Sequence, residues 1–216
     1  MKKYSFKKFW NYLWNDNSIG SWILLFVLAF IFIRLIFFPI VGVVFATSHP
    51  IVAVISSSMD HNMNPHERGY YLCGVSFNQK RDVSFDFWWR VCGEWYEENT
   101  NITKEEFSNF RLSGGFRRGD VIINIGRSSE NINIGDVVIF DVGYPIPIIH
   151  RVVDKFEEEG VTYFSIKGDN NPTFDSRINE SKIHEEQILG VSVLKIPYLG
   201  YFRLILSDVI SSIRGN

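Results

Sequence analysis

Apolar positions follow three unlike patterns along this chain. From Ser21 to Ala46 they run almost unbroken, with Arg34 as the only charged residue. A helix of that length covers about 38 Å at ~1.5 Å per residue, more than the ~30 Å hydrocarbon core of a bilayer. The run also exceeds the roughly 7–15 residue apolar core of a removed signal peptide. It predicts one membrane-crossing helix over 21–46, with Arg34 snorkelling and Pro39 kinking or ending the regular helix. A buried core helix of a soluble protein is the plainer alternative. Ahead of it, Phe6, Phe9, Trp10, Leu13 and Trp14 recur at spacings of three and four, with Lys2, Lys3, Lys7 and Lys8 among them. Residues 1–20 therefore read as an amphipathic segment on the bilayer surface or as a frayed basic tail. The lysines put the N-terminus in the cytoplasm and the rest of the chain outside.

The second pattern is β. Ile51–Ile55, Val121–Ile125, Val137–Phe140, Ile148–Val153, Tyr163–Ile166 and Ile188–Ile196 are β-branched or aromatic runs separated by Gly, Asp and Asn. Gly119-Asp120 and Gly135-Asp136 suit turns feeding strands. The fold class is mainly β: a small barrel or sandwich over 47–200, behind an N-terminal transmembrane helix.

The third pattern is a helical, aromatic-rich insert over 69–115, within a stretch from Asp60 to Gly115 that does not read as strand. Phe85, Trp88, Trp89, Cys92, Trp95 and Tyr96 fall on one helical face behind Ser84 as N-cap. Thr103 and Glu106 form a capping box for a second short helix. The insert either packs on the domain or sets its tryptophans at headgroup level. Residues 201–216 continue an apolar pattern from Tyr198 that suits an amphipathic tail on membrane or domain.

Composition changes little: 46% of residues are apolar and 21% charged, both near globular averages. A net charge of −2 gives no basic footprint for nucleic acid. Cys73 and Cys92 form no CxxC or Cys/His cluster, so no zinc site is expected. They are either a disulfide or two buried thiols.

Candidate chemistry sits just beyond the apolar run. Ser56-Ser57-Ser58-Met59 ends the first short strand, and His150 closes an apolar run ahead of Arg151-Val152-Val153. A serine hydroxyl needs a base to take its proton, and a carboxylate on the other imidazole nitrogen fixes the tautomer. Ser58, His150 and Asp175 supply those parts, although common residue types do not establish that they meet. A structural histidine is the alternative for His150.

Several linked stretches then resemble type I signal peptidase. They are Ser56-Ser57-Ser58-Met59 after an anchor, Gly135-Asp136-Val137-Val138-Ile139-Phe140, Ile148-Ile149-His150-Arg151-Val152-Val153 and Lys167-Gly168-Asp169-Asn170-Asn171, with Asp175 six residues after Asp169. Gly190-Val191 and Ile196-Pro197-Tyr198-Leu199-Gly200 fit as well. The likeness covers roughly 52–59 and 119–200. Histidine at position 150, where bacterial members carry lysine, is similar to the archaeal and endoplasmic-reticulum branch. The resemblance implies Ser58 as nucleophile, His150 as general base, Asp175 as orienting acid and Asp169 as a second important acid. Ser56 and the Ser58 N–H would line the oxyanion hole.

That likeness implies cleavage of preprotein signal peptides after small residues, without metal or cofactor, by a single-pass enzyme of the cell or endoplasmic-reticulum membrane. Its partners would be preproteins, the bilayer and secretion machinery or accessory subunits. The chain departs from the pattern at Ser57, usually glycine, at Asp60-His61, and in the size of the insert. The choice among three serines stays open. A narrower processing protease and a non-catalytic anchored β-domain are the rival readings.

Overall fold

The structure, a computed structural model, describes residues 6–67 and 69–200. Lys2, Lys3 and the expected tail over 201–216 lie outside the described residues. The chain divides into two units, Met1–Val44 and Phe45–Asn216.

In the first unit, helix α1 spans Phe6–Asn15, with Phe6, Phe9, Trp10 and Trp14 exposed and Leu13 buried. Helix α2 spans Ile19–Phe32 and starts on Ser18, whose side chain accepts from the Ser21 N–H. A π-helical turn, Ile33–Phe37, leads into α3, Phe38–Val44. Together they form one helix, Ile19–Val44, long and apolar enough to cross a membrane. Pro39 therefore does not end it. A proline lacks its N–H and crowds the carbonyl four residues back. The wider turn, in which the Phe38 N–H reaches the Ile33 carbonyl, sits just ahead of Pro39 and gives that ring room.

The second unit is built on strands β1 (Ile51–Ala53), β5 (Val121–Ile125), β6 (Val137–Phe140), β7 (Ile148–Glu158), β8 (Val161–Lys167), β9 (Ile183–His184) and β10 (Ile188–Ile196). They pair in the order β1-β5-β10-β6-β7-β8-β9, all antiparallel. Register shifts in β10 and β7 mark bulges, which bend a sheet and strengthen its twist. Asp120 and Asp136 feed β5 and β6 as the Gly-Asp pairs predict, accepting from the Arg117 and Asn133 N–H groups.

The sheet is covered on both faces, which explains why β6 is apolar at every position. Val138 and Phe140 pack with Val152, Phe164, Ile166 and Val191, whereas Val137 packs with Val54, Met59, Phe116 and Ile122. Successive residues on β7 likewise divide. Val152 joins the first of these cores, and Val153 joins a third with Trp88, Trp89, Tyr96 and Phe107.

That third core is the insert. Helix α4 spans Phe85–Asn99 behind Ser84, and α5 spans Lys104–Asn109 behind the Thr103–Glu106 capping box. The buried Trp88, Trp89 and Tyr96 pack on the domain. The region also contains strands that its sequence does not announce: β2 (Asn64–His66), β3 (Gly69–Leu72) and β4 (Val75–Phe77), forming a small antiparallel sheet. They are three or four residues long, too short for alternation to register, and Pro65 is tolerated because β2 is an edge. Cys73 and Cys92 are joined as a disulfide, which ties the β3–β4 turn to α4. Closing a loop of that size stabilises by about 3 kcal/mol in the chain-entropy model.

Trp88 is fully buried, stacked on His61 at 3.9 Å and packed on Phe107 at 5.0 Å between ring centroids. Trp88→Ala is expected to cost about 3–5 kcal/mol, read from chemical unfolding in detergent. A loss under ~1 kcal/mol would mean that the insert is not packed on the domain.

Candidate active site

The serine stretch leaves β1 through Val54, whose N–H donates to the Asp120 carbonyl at 2.9 Å. It then turns tightly, the Asp60 N–H reaching back to the Ser57 carbonyl at 3.0 Å. Met59, with 1% of its surface exposed, anchors this turn in the core, and its carbonyl accepts from the Phe116 N–H. Ser58 is left half-buried with its Oγ 3.2 Å from Ser56 Oγ. Ser56 and Ser58 line a groove of about 340 Å³ with His150, whose walls include Ile146, Ile149 and Phe116. Ser57 does not line it.

His150 lies on β7 and is buried. Its Nδ1 bonds to an oxygen of Glu180, a carboxylate with no exposed surface. The other oxygen of Glu180 accepts from the Asp175 N–H at 2.5 Å. A carboxylate accepts only, so Nδ1 carries the proton and Nε2 is free to take one. Nε2 lies close against Gly168, where a Cβ would come within 2.9 Å of it. Only glycine fits at 168 without displacing the imidazole.

Asp175, expected to orient His150, does not make that bond. It lines the groove but accepts from the Arg177 N–H at 3.0 Å and pairs with the Arg177 guanidinium at 2.9 and 2.6 Å. The Arg177 bond is the main cause that lowers its pKa. The physical reason is local: Asp175 caps the short turn Ser176–Ile178, which spends its side chain on its own backbone. Glu180, which bonds His150 and which the sequence did not single out, follows that turn in a polar stretch without periodicity. Its only sequence signal is a carboxylate five residues beyond Asp175.

Asp169, expected as a second important acid, lies outside the groove. It is fully buried and accepts from four donors. Arg151 gives Nε at 2.9 Å and Nη2 at 2.7 Å, His61 gives Nε2 at 2.9 Å, and the Tyr96 hydroxyl lies at 3.1 Å. Arg151, next along β7 from His150 and so on the opposite face, spends its other N–H groups on the carbonyls of Arg111, Leu112 and Gly135. Burial would raise the Asp169 pKa, but the Arg151 charge and the His61 and Arg151 bonds outweigh it and hold it well below the usual range. Burial pushes His61 down, against the opposing pull of Asp169. Lys167, over the rings of Trp95 and Tyr96 at 4.7 and 5.0 Å, is pushed by burial down to about 8. Among the described residues, no cluster of His, Cys, Asp and Glu is arranged to hold a metal.

The chain thus carries an apolar N-terminal helix and a β-domain whose groove is lined by serines and by a histidine that bonds a buried carboxylate. Similar proteins carry a consistent name. The chain is 36% identical over 102 residues to the signal peptidase complex catalytic subunit sec11 of Sclerotinia sclerotiorum, covering 45% of this chain and 59% of that protein. It is 33% identical over 102 residues to the SEC11 subunit of Pyricularia oryzae, with the same coverage. To that of Komagataella phaffii it is 35% identical over 110 residues, covering 45% of this chain and 62% of the relative. The chain therefore spans about six-tenths of the length of the curated relatives it matches. No family model matches it. These likenesses bear out the resemblance to the endoplasmic-reticulum branch of type I signal peptidase.

Arg151→Met would leave Asp169 as an uncompensated buried charge and is expected to cost about 3–5 kcal/mol in unfolding experiments. Because the folded pKa of Asp169 is depressed, its contribution is fully present above the unfolded value of about 3.9 and is lost as pH falls below it. The Asp169→Asn variant should therefore be less stable than the parent at neutral pH, with the gap narrowing in acid. A gap independent of pH would remove the ion pair from the explanation.

Proposed function

We propose that this chain is a membrane-anchored serine endopeptidase that removes signal peptides from exported preproteins, cutting after small residues. The observation that carries the reading is a single groove lined by Ser56, Ser58 and His150, with the imidazole backed by the buried carboxylate of Glu180. The names of its relatives support the same substrate class.

Ser58 Oγ attacks the scissile carbonyl carbon as His150 Nε2 takes its proton. The Ser56 hydroxyl and the Ser58 N–H donate to the oxyanion that develops. His150 then passes the proton to the leaving amine, which frees the mature chain and leaves an acyl ester on Ser58. Water, deprotonated by the same imidazole, attacks that ester and releases the signal peptide. Glu180 acts through His150 as a positioning residue, fixing the tautomer and the orientation of the ring. Asp175 contributes its backbone N–H to Glu180 rather than its carboxylate to the histidine.

Substrate binding follows from the edge of the sheet. Among the described residues β1 pairs only with β5, and Val52 to Ile55 line the groove, so an extended peptide can add beside them by main-chain bonds. Apolar walls and a modest volume favour small side chains next to the cut. The helix Ile19–Val44 holds the enzyme in the endoplasmic-reticulum or cell membrane, where the substrate's own apolar segment also lies. Lys2, Lys3, Lys7 and Lys8 favour a cytoplasmic N-terminus and a lumenal or external catalytic domain. Relatives named as subunits of a complex support accessory subunits as partners.

Cleavage of a model preprotein in reconstituted vesicles, with the cut mapped by mass spectrometry, tests this. The parent should cut at the small-residue site, and Ser58→Ala should lose on the order of 10³-fold or more. Equal cutting by both would move the nucleophile elsewhere. Glu180→Gln should lower kcat by at least ~100-fold, whereas Asp175→Asn should stay within about fivefold of the parent. The reverse order would return the orienting role to Asp175.

A further inference from the structure

Asn170, in the loop after β8, links the insert to the serine turn. Asn170 is buried, and its backbone N–H donates to the Ser58 carbonyl at 2.7 Å. Its side-chain Nδ2 donates to the Ser57 carbonyl at 3.1 Å, and its Oδ1 accepts from the Cys73 N–H at 2.8 Å. One residue thus grips two successive carbonyls of the turn, by its backbone and by its side chain, and that side chain is itself held from the far side by the insert. The fork needs a donor and an acceptor on one short side chain. Aspartate matches the shape, but a carboxylate would face the Ser57 carbonyl with no proton to give.

Cys73 is placed by covalent and steric constraints. With Gly74 it forms the two-residue turn between β3 and β4, at φ of 48° and 88°, which matches the hairpin type that needs positive φ at both positions. A Cβ on Gly74 would lie 2.9 Å from Pro172 Cβ, so the turn rests directly on the loop that carries Asn170. Cys73 Sγ lies 3.3 Å from the Asp169 carbonyl oxygen, a contact rather than a hydrogen bond, because the bridged sulfur has no proton. The disulfide fastens this turn to Cys92 on α4, one helical turn before Tyr96, which bonds Asp169.

We propose that Asn170 is a positioning residue for Ser58 and that the Cys73–Cys92 disulfide sets Asn170 through the Cys73 N–H, so that activity depends on the oxidised state of the insert. This rests on the reading of Ser58 as the nucleophile. A dithiol reductant opens the bridge to two thiols and is itself oxidised to a cyclic disulfide. The freed turn then no longer holds Asn170 Oδ1, so the side chain on the Ser57 carbonyl is no longer fixed and the Ser58 carbonyl keeps only the backbone N–H of a loosened residue. A shift near 1 Å at a reacting group costs about 100-fold in rate.

The test uses the full-length protein in vesicles, with preprotein cleavage measured in the oxidised and reduced states. Reduction of the parent should lower kcat about 10- to 100-fold with KM within about twofold. It should also speed hydrogen exchange at the Asn170 N–H. The Cys73→Ser/Cys92→Ser pair should match the reduced parent. Asn170→Asp should be as slow as the reduced parent, and reduction should slow it by less than about twofold further, since both changes break one chain of contacts. If Asn170→Asp does not fold, the cysteine pair decides, because it leaves Asn170 in place. Full cleavage by the reduced parent, by the cysteine pair or by Asn170→Asp, with Ser58→Ala inactive, overturns the proposal alone. Cleavage by Ser58→Ala at the parent's rate overturns the reading of the site and the proposal with it.

Discussion

The second unit turns on a buried ion pair. Arg151 and Asp169 have no exposed side-chain surface, and neither charge could stay there without the other. Their partners come from separate stretches: His61 beyond the serine turn, Tyr96 on α4, and the carbonyls of Arg111, Leu112 and Gly135. The neighbours of the pair in sequence matter as much. Arg151 follows His150, and Asp169 precedes Asn170, which holds the carbonyls of Ser57 and Ser58. Fixing the pair therefore helps fix His150 and Ser58 relative to each other without either ion entering the groove.

Strand alternation makes this arrangement possible. On β7, His150 faces the groove while Arg151 faces the insert, so one dipeptide lines the candidate site on one side and provides cohesion on the other. The same division separates Val152 from Val153. The insert is thus part of the support for the site. It covers the face that holds Arg151 and Asp169, and its turn at Cys73 touches the loop behind the serine.

Much of this was legible in the sequence, and what was not has physical causes. The long β runs, the apolar helix and both helix caps in the insert were readable, because each repeats a periodic signal or a local hydrogen-bond pattern. β2, β3 and β4 were not, since strands of three or four residues carry no alternation to detect. Pro39 read as a kink or an end because its effect on a regular helix is local, whereas the turn that accommodates it is set by the residues before it. In the site, Ser58 and His150 stood out by their place at strand ends. Asp175 stood out by its distance from Asp169, yet the Asp-Ser-Arg sequence is also a capping turn that consumes its carboxylate. Glu180 could not be singled out, because its role depends on a chain reversal that brings it against β8 and His150.

The most direct test of the site is the proton on His150 Nδ1, followed by NMR of the protein labelled with 15N at histidine. A strong imidazole–carboxylate bond moves that proton far downfield and slows its exchange. The expected result is a downfield Nδ1–H signal for His150 in the parent and in Asp175→Asn, and its loss in Glu180→Gln. A signal that survives Glu180→Gln but disappears in Asp175→Asn would contradict the assignment of Glu180 and the mechanism built on it.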